Sequence, residues 1–200
     1  MTSKLSLPTA IVALLSLALA PSAMAVGISG PHAVAKPSAI ASASTLIAPA
    51  AACPGQTRLN APAEAQEKAM LCLTDFARAN AGLEPLAASP QLELSAQDKL
   101  EDVLRCDSFS HFACGRDFTY WMRETGYVGD GCWHVGENLA WGSGEYGSVR
   151  SIFRAWMSSP THRRNILGDY EEAGAALLGG DLEGRPDAHL WAVHFGSRYD

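Results

Sequence analysis

Polar and apolar positions alternate with a helical period in three long stretches of the chain. Over residues 63–80, Met70, Leu73 and Ala77 recur at helical spacing with Cys72 and Phe76 beside them, and Gly82 stands where such a helix ends. Over 90–106, Leu92, Ala96, Leu100 and Leu104 form one stripe, which leaves Asp98, Lys99, Glu101 and Asp102 facing water. The clearest periodicity follows Ser148. Val149, Ile152, Phe153, Trp156 and Met157 fit i, i+3, i+4, i+7 and i+8, Ser148 suits an N-cap, and Pro160 disfavours helix at Ser159. A fourth, short helix is expected over 120–125, after the loop that opens FSHFACG.

The last thirty residues change period. EAGAALLGG and HLWAVHFG read as two paired strands, the second placing Leu190, Ala192 and His194 on one face and Trp191, Val193 and Phe195 on the other. Four helices followed by late strands predict a layered α+β domain.

The beginning of the chain is different again. MTSKLSLPTAIVALLSLALAPSAMA has one Lys, an apolar run and an Ala-Met-Ala site, which predicts a secretory leader over 1–25 cleaved after Ala25. That run is too short to span a bilayer, and nothing later reads as a membrane helix. Residues 26–52, rich in Ala, Ser and Pro, read as a flexible linker, leaving 53–200 as one domain with a core of its own. Loss of the leader removes Lys4 and no acid, so 14 basic residues face 21 acidic ones. An acidic chain without a basic run excludes nucleic acid as a natural partner, and a monomer is expected.

Five cysteines, Cys53, Cys72, Cys106, Cys114 and Cys132, lie in the domain. In an exported chain they predict disulfides. Cys53 with Cys72 would tie the domain's start to its first helix; a second bridge draws two of Cys106, Cys114 and Cys132. The odd thiol is expected to be buried and inert.

Candidate chemistry is narrow. GSGEYG matches the dinucleotide-binding glycine spacing, but Gly-Glu-Asn precedes it where a strand–turn–helix unit is required. No G-x-S-x-G and no H-E-x-x-H are present, and Ser110–His111 or Ser159–His162 are neighbours in sequence only. What remains is one carboxylate and three histidines from separate elements: Glu137 in HVGENLAWGSG, read as a loop, with His111, His162 and His194. Two imidazoles and a carboxylate compose an open shell for zinc or another divalent metal. The same groups also compose a buried hydrogen-bonded network, the commoner arrangement. Asn138 and Asn165 are expected to fix backbone, Trp141, Trp156 and Trp191 to be core, Arg163 and Arg164 to be solvated, and His134 and His189 to be ordinary loop residues.

FSHFACG, GENLAWGSG, AWMSSPTHRRNIL and WAVHFG, in that order, resemble the CAP superfamily (SCP domain), closest to its bacterial secreted branch, over residues 63–200. The resemblance implies an α-β-α sandwich with a central cleft that in many members holds two His and two acids and takes a divalent metal. His111 matches the first histidine and Glu137 the glutamate of Gly-Glu-Asn. Ser159 stands where many eukaryotic members have the second acid and Leu190 where they have the second histidine, while His162 matches the bacterial helix-end motif. Sterol or lipid binding, protein partners and proteolysis are the activities the resemblance brings.

With no activated nucleophile in view, the expected function is a secreted binding module. Its cleft at His111, Glu137, His162 and His194 would hold a metal, a small or lipidic ligand, or an extracellular protein. The alternatives are a metal-dependent hydrolase using Glu137, and a purely structural domain that binds a partner through its surface.

Overall fold

The computed structural model describes residues 13–19 and 45–199. Five strands form one sheet in the order β1-β3-β5-β4-β2, with helices on both faces. The strands are β1 (Ala13–Leu19), β2 (Ala87–Ala88), β3 (Cys132–Ser143), β4 (Glu172–Leu182) and β5 (Arg185–Tyr199). The helices are α1 (Ala63–Asn80), α2 (Pro90–Arg105), α3 (Tyr120–Glu124), α4 (Val149–Ser158) and α5 (Pro160–Ile166). β3, β4 and β5 run antiparallel, and the two-residue β2 adds a parallel edge to β4. This is the α+β, three-layer arrangement expected from the sequence.

Alternation along β5 decides which helix covers which face. Trp191, Val193 and Phe195 enter one core with Met70 and Leu73 of α1, Phe153 and Trp156 of α4 and Ile166 of α5. Leu190 and Ala192 enter another with Leu139 and Trp141 of β3 and Ala96, Leu100 and Val103 of α2. The Ser148 hydroxyl caps α4 by accepting from Ser151 N–H, and Pro160 restarts the chain as α5 instead of continuing α4.

Four expectations are corrected. HVGENLAWGS is strand, not loop: its glycines admit close neighbours and do not mark turns. A Cβ at Gly136 would run into the Tyr170 hydroxyl, and one at Gly142 into the backbone of Tyr146. His134 and His189 therefore lie on strands, with His134 stacked on Tyr170 at 4.6 Å. Lys99 and Asp102 do not face water. Both are buried, Asp102 accepting from Arg105, from Arg116 at 2.9 and 3.0 Å and from Trp121 Nε1 at 2.8 Å. Finally, Cys53–Cys72 and Cys106–Cys114 are the two disulfides, and the remaining thiol, Cys132, is exposed. It opens β3 at the sheet's end, opposite Tyr199. Under native conditions a thiol reagent should therefore label one cysteine rapidly, and Cys132→Ser should abolish that labelling; a slow or absent reaction would contradict this placement.

Two features bear on the domain's beginning. Leu46 and Ala48 are buried in the α1–α4 core, and Arg150 donates to Ala48 O at 2.8 Å, so packing reaches back into the expected linker. Residues 13–19, inside the expected leader, pair antiparallel with β3, Ala13 opposite Trp141 and Leu19 opposite Val135. The cleavage point after Ala25 and residues 26–44 lie outside the described residues. Among the described residues no helix is long and apolar enough to cross a membrane.

Candidate functional site

Strand register builds the site. Glu137 of β3 pairs directly with His194 of β5, and His194 pairs on its other side with Gly174 of β4. Opposed residues on adjacent strands share a face, so the carboxylate and the imidazole start out side by side. His194 Nε2 lies 2.8 Å from Glu137 Oε2, and His111 Nδ1, from the loop after α2, lies 2.5 Å from Oε1. All three side chains are buried.

The proton positions follow from what each atom can do. A carboxylate only accepts, so His111 Nδ1 and His194 Nε2 carry the hydrogens. The other ring nitrogen of His194, Nδ1, lies 2.7 Å from Ser95 Oγ on α2. The Ser95 hydroxyl donates to Leu92 O at 2.9 Å, so it is the oxygen that faces Nδ1. The other ring nitrogen of His111, Nε2, is buried and has no hydrogen-bond partner among the described residues.

Lys99 completes the surroundings. Its ammonium donates to His111 O at 2.7 Å, fixing the loop that presents the imidazole. Burial alone would push the Glu137 carboxyl up. The hydrogen bonds from His111 and His194, the electrostatic effect of His194 and, after it, the Lys99 charge outweigh it and hold the group at about 2. For Lys99 burial dominates in the other direction and lowers its pKa, against the opposing influence of Glu137, Asp102 and Asp117.

The structure therefore unites three of the four site residues taken from the sequence and separates the fourth. Asn138, one residue along β3, points to the opposite face from Glu137. Its amide donates to His162 O at 3.1 Å, and Asn165 donates to Asn138 Oδ1 at 2.9 Å and to Glu137 O at 3.1 Å. The described ring contacts of His162 are Ser159 Oγ, 2.8 Å from Nδ1, and the face of Trp156. The two asparagines thus fix backbone as expected, but they bolt a helix to a strand and do not shape a loop. Trp141, Trp156 and Trp191 are core; Arg164 is exposed and Arg163 half-buried.

Ser95 and Lys99 were missed in the sequence. The available signal is their own spacing: Ser95, Lys99 and Asp102 form an i, i+4, i+7 polar stripe beside the apolar one, and all three are buried. A polar stripe next to an apolar stripe marks either a solvated flank or a buried network, and one helix cannot show which.

As a metal shell the set fits poorly. Both Glu137 oxygens already accept imidazole hydrogens, and those hydrogens occupy the nitrogens nearest the carboxylate. Among the described residues no group of three or more His, Cys, Asp or Glu is placed to hold a metal ion. His111 Nε2 offers one lone pair, and an open zinc shell needs three ligands.

Comparison with known proteins places the fold. The family model described as CAP, the cysteine-rich secretory protein family, matches residues 73–195. The uncharacterised protein YkwD of Bacillus subtilis is 33% identical over 122 residues, 60% of this chain and 46% of its own length. The match thus spans about half of that relative. An outer surface protein of Borrelia burgdorferi has a similar structure, with a TM-score of 0.55 at 20% identity over 66% of this chain and 92% of that one. An extracellular SCP-domain protein of Bacillus anthracis gives a TM-score of 0.52 at 20% identity, over 66% of this chain and 40% of that one. At such identities the likeness is one of fold.

Proposed function

Because the chain belongs to the CAP family of cysteine-rich secretory proteins, we propose that it is an extracellular binding module and not an enzyme. One observation carries this reading. The acid–imidazole–hydroxyl chain found among the described residues, Glu137–His194–Ser95, is buried at every member, with Ser95 held inside α2. A hydroxyl that substrate cannot reach is no nucleophile, and a carboxylate with both oxygens engaged is a poor base. The network instead makes a rigid floor that ties β3, β5, α2 and the His111 loop together. Ligand contact belongs to the surface outside it, where Phe112, next to His111, exposes 56% of its surface. An exposed aromatic suits an apolar ligand or a protein partner outside the cell. Export itself rests on the leader and the two disulfides.

The metal-dependent hydrolase is the second reading, and the unpartnered His111 Nε2 is the observation in its favour. One experiment separates the two: a broad panel of peptide and ester substrates, with and without chelator. The binding reading expects no turnover by the purified chain. Turnover that Glu137→Ala abolishes would overthrow it.

A further inference from the structure

We propose that Lys99 is a built-in counter-cation of Glu137, so that the charge of this site is balanced without a metal. The two groups grip one residue from opposite ends: Lys99 Nζ holds the His111 carbonyl at 2.7 Å, and Glu137 Oε1 accepts from the His111 ring at 2.5 Å. Both are out of solvent, Lys99 at 1% exposure and Glu137 at 0%. A buried ion persists only when an opposite charge or a full set of hydrogen bonds offsets its lost hydration.

Other acids near Lys99 are spoken for. Asp102 serves Arg105, Arg116 and Trp121, and Asp117 accepts from Thr119 N–H and hydroxyl and pairs with Arg123. The described hydrogen-bond partners of Glu137's carboxylate are two imidazoles, and among the lysines and arginines Lys99 is the one whose charge acts on it. With neutral rings the cluster sums to zero charge, and a protonated His194 makes it positive. A dication entering it would meet an ammonium, and a carboxylate whose lone pairs are already directed at N–H groups. Electrostatic coupling runs the same way: Lys99 favours the ionised form of Glu137, and Glu137 favours the charged form of Lys99.

This inference is separate from the choice between binding module and enzyme, which the substrate panel decides. Its test combines a calorimetric zinc titration of the parent chain near neutral pH with thermal melts of the parent, Lys99→Met, Glu137→Gln and the double variant. The parent should show no saturable zinc binding and an unchanged melting temperature with zinc or EDTA. Each single variant should melt well below the parent, because each leaves a lone buried charge. The double variant should be more stable than either single one, even if a single variant fails to fold. Saturable one-to-one zinc binding by the parent would overturn the proposal, and so would a double variant no more stable than the single ones.

Discussion

Glu137→Gln is expected to lower the unfolding free energy by about 3–5 kcal/mol, the cost of breaking a buried charge pair by removing one partner. The amide keeps the shape but replaces one acceptor oxygen with a donor, so one of the two imidazole N–H groups loses its partner and faces an NH₂. Lys99 is left as an unbalanced buried cation. Denaturant unfolding at neutral pH measures the loss directly; a variant within about 1 kcal/mol of the parent, the size of an ordinary substitution, would mean the network is not under electrostatic load.

The same residue sets an acid limit. The folded Glu137 carboxyl titrates at about 2, below its ordinary value of 4.5, so its contribution is fully present above about 4.5 and is lost as pH falls toward 2. That depression corresponds to about 3 kcal/mol. Parent and Glu137→Gln stabilities should therefore converge as pH drops through this window, and curves that stay parallel would exclude Glu137 as the titrating group.

Gly174→Ala should be comparably damaging, at about 3 kcal/mol, the upper end of overpacking costs. A Cβ there would fall on the backbone of Leu92 and Glu93, in the first turn of α2, where no flexible side chain can move aside. Gly174 is also the β4 partner of His194, and Ser95 follows two residues after Glu93. The missing side chain lets α2 lie against the sheet closely enough for Ser95 to reach His194. The substitution should thus lower the melting temperature and disturb the His194 imidazole signals together. A stable variant with unchanged His194 resonances would show that α2 can shift without cost.

Local pattern was a good guide where one face of an element is buried. α1 falls on the residues its periodicity marked, α4 begins at its Ser148 cap, and β5 divides its side chains between two cores as alternation requires. It failed at β3, which is covered on both faces and so shows no alternation. There Gly136 and Gly142 carry the sequence signature of a turn while serving close packing. Burial of Lys99 was equally hidden, because an isolated α2 has no means of showing that its polar stripe meets the His111 loop. Grouping His162 with Glu137 failed for a related reason: adjacency to Asn138 on β3 means the opposite side of the sheet.

The α+β class, the family resemblance, the leader-like start and the available chemistry (one carboxylate, a few imidazoles and no activated nucleophile) are all legible along the chain. Those follow from composition, period and short motifs, which are local properties. That His194 and not His162 meets Glu137, that Ser95 and Lys99 belong to the same network, and that Cys132 is the exposed thiol emerge only from the folded chain. Each of those depends on strand register or on helix-to-sheet distance, and both are set by contacts between residues far apart in the chain.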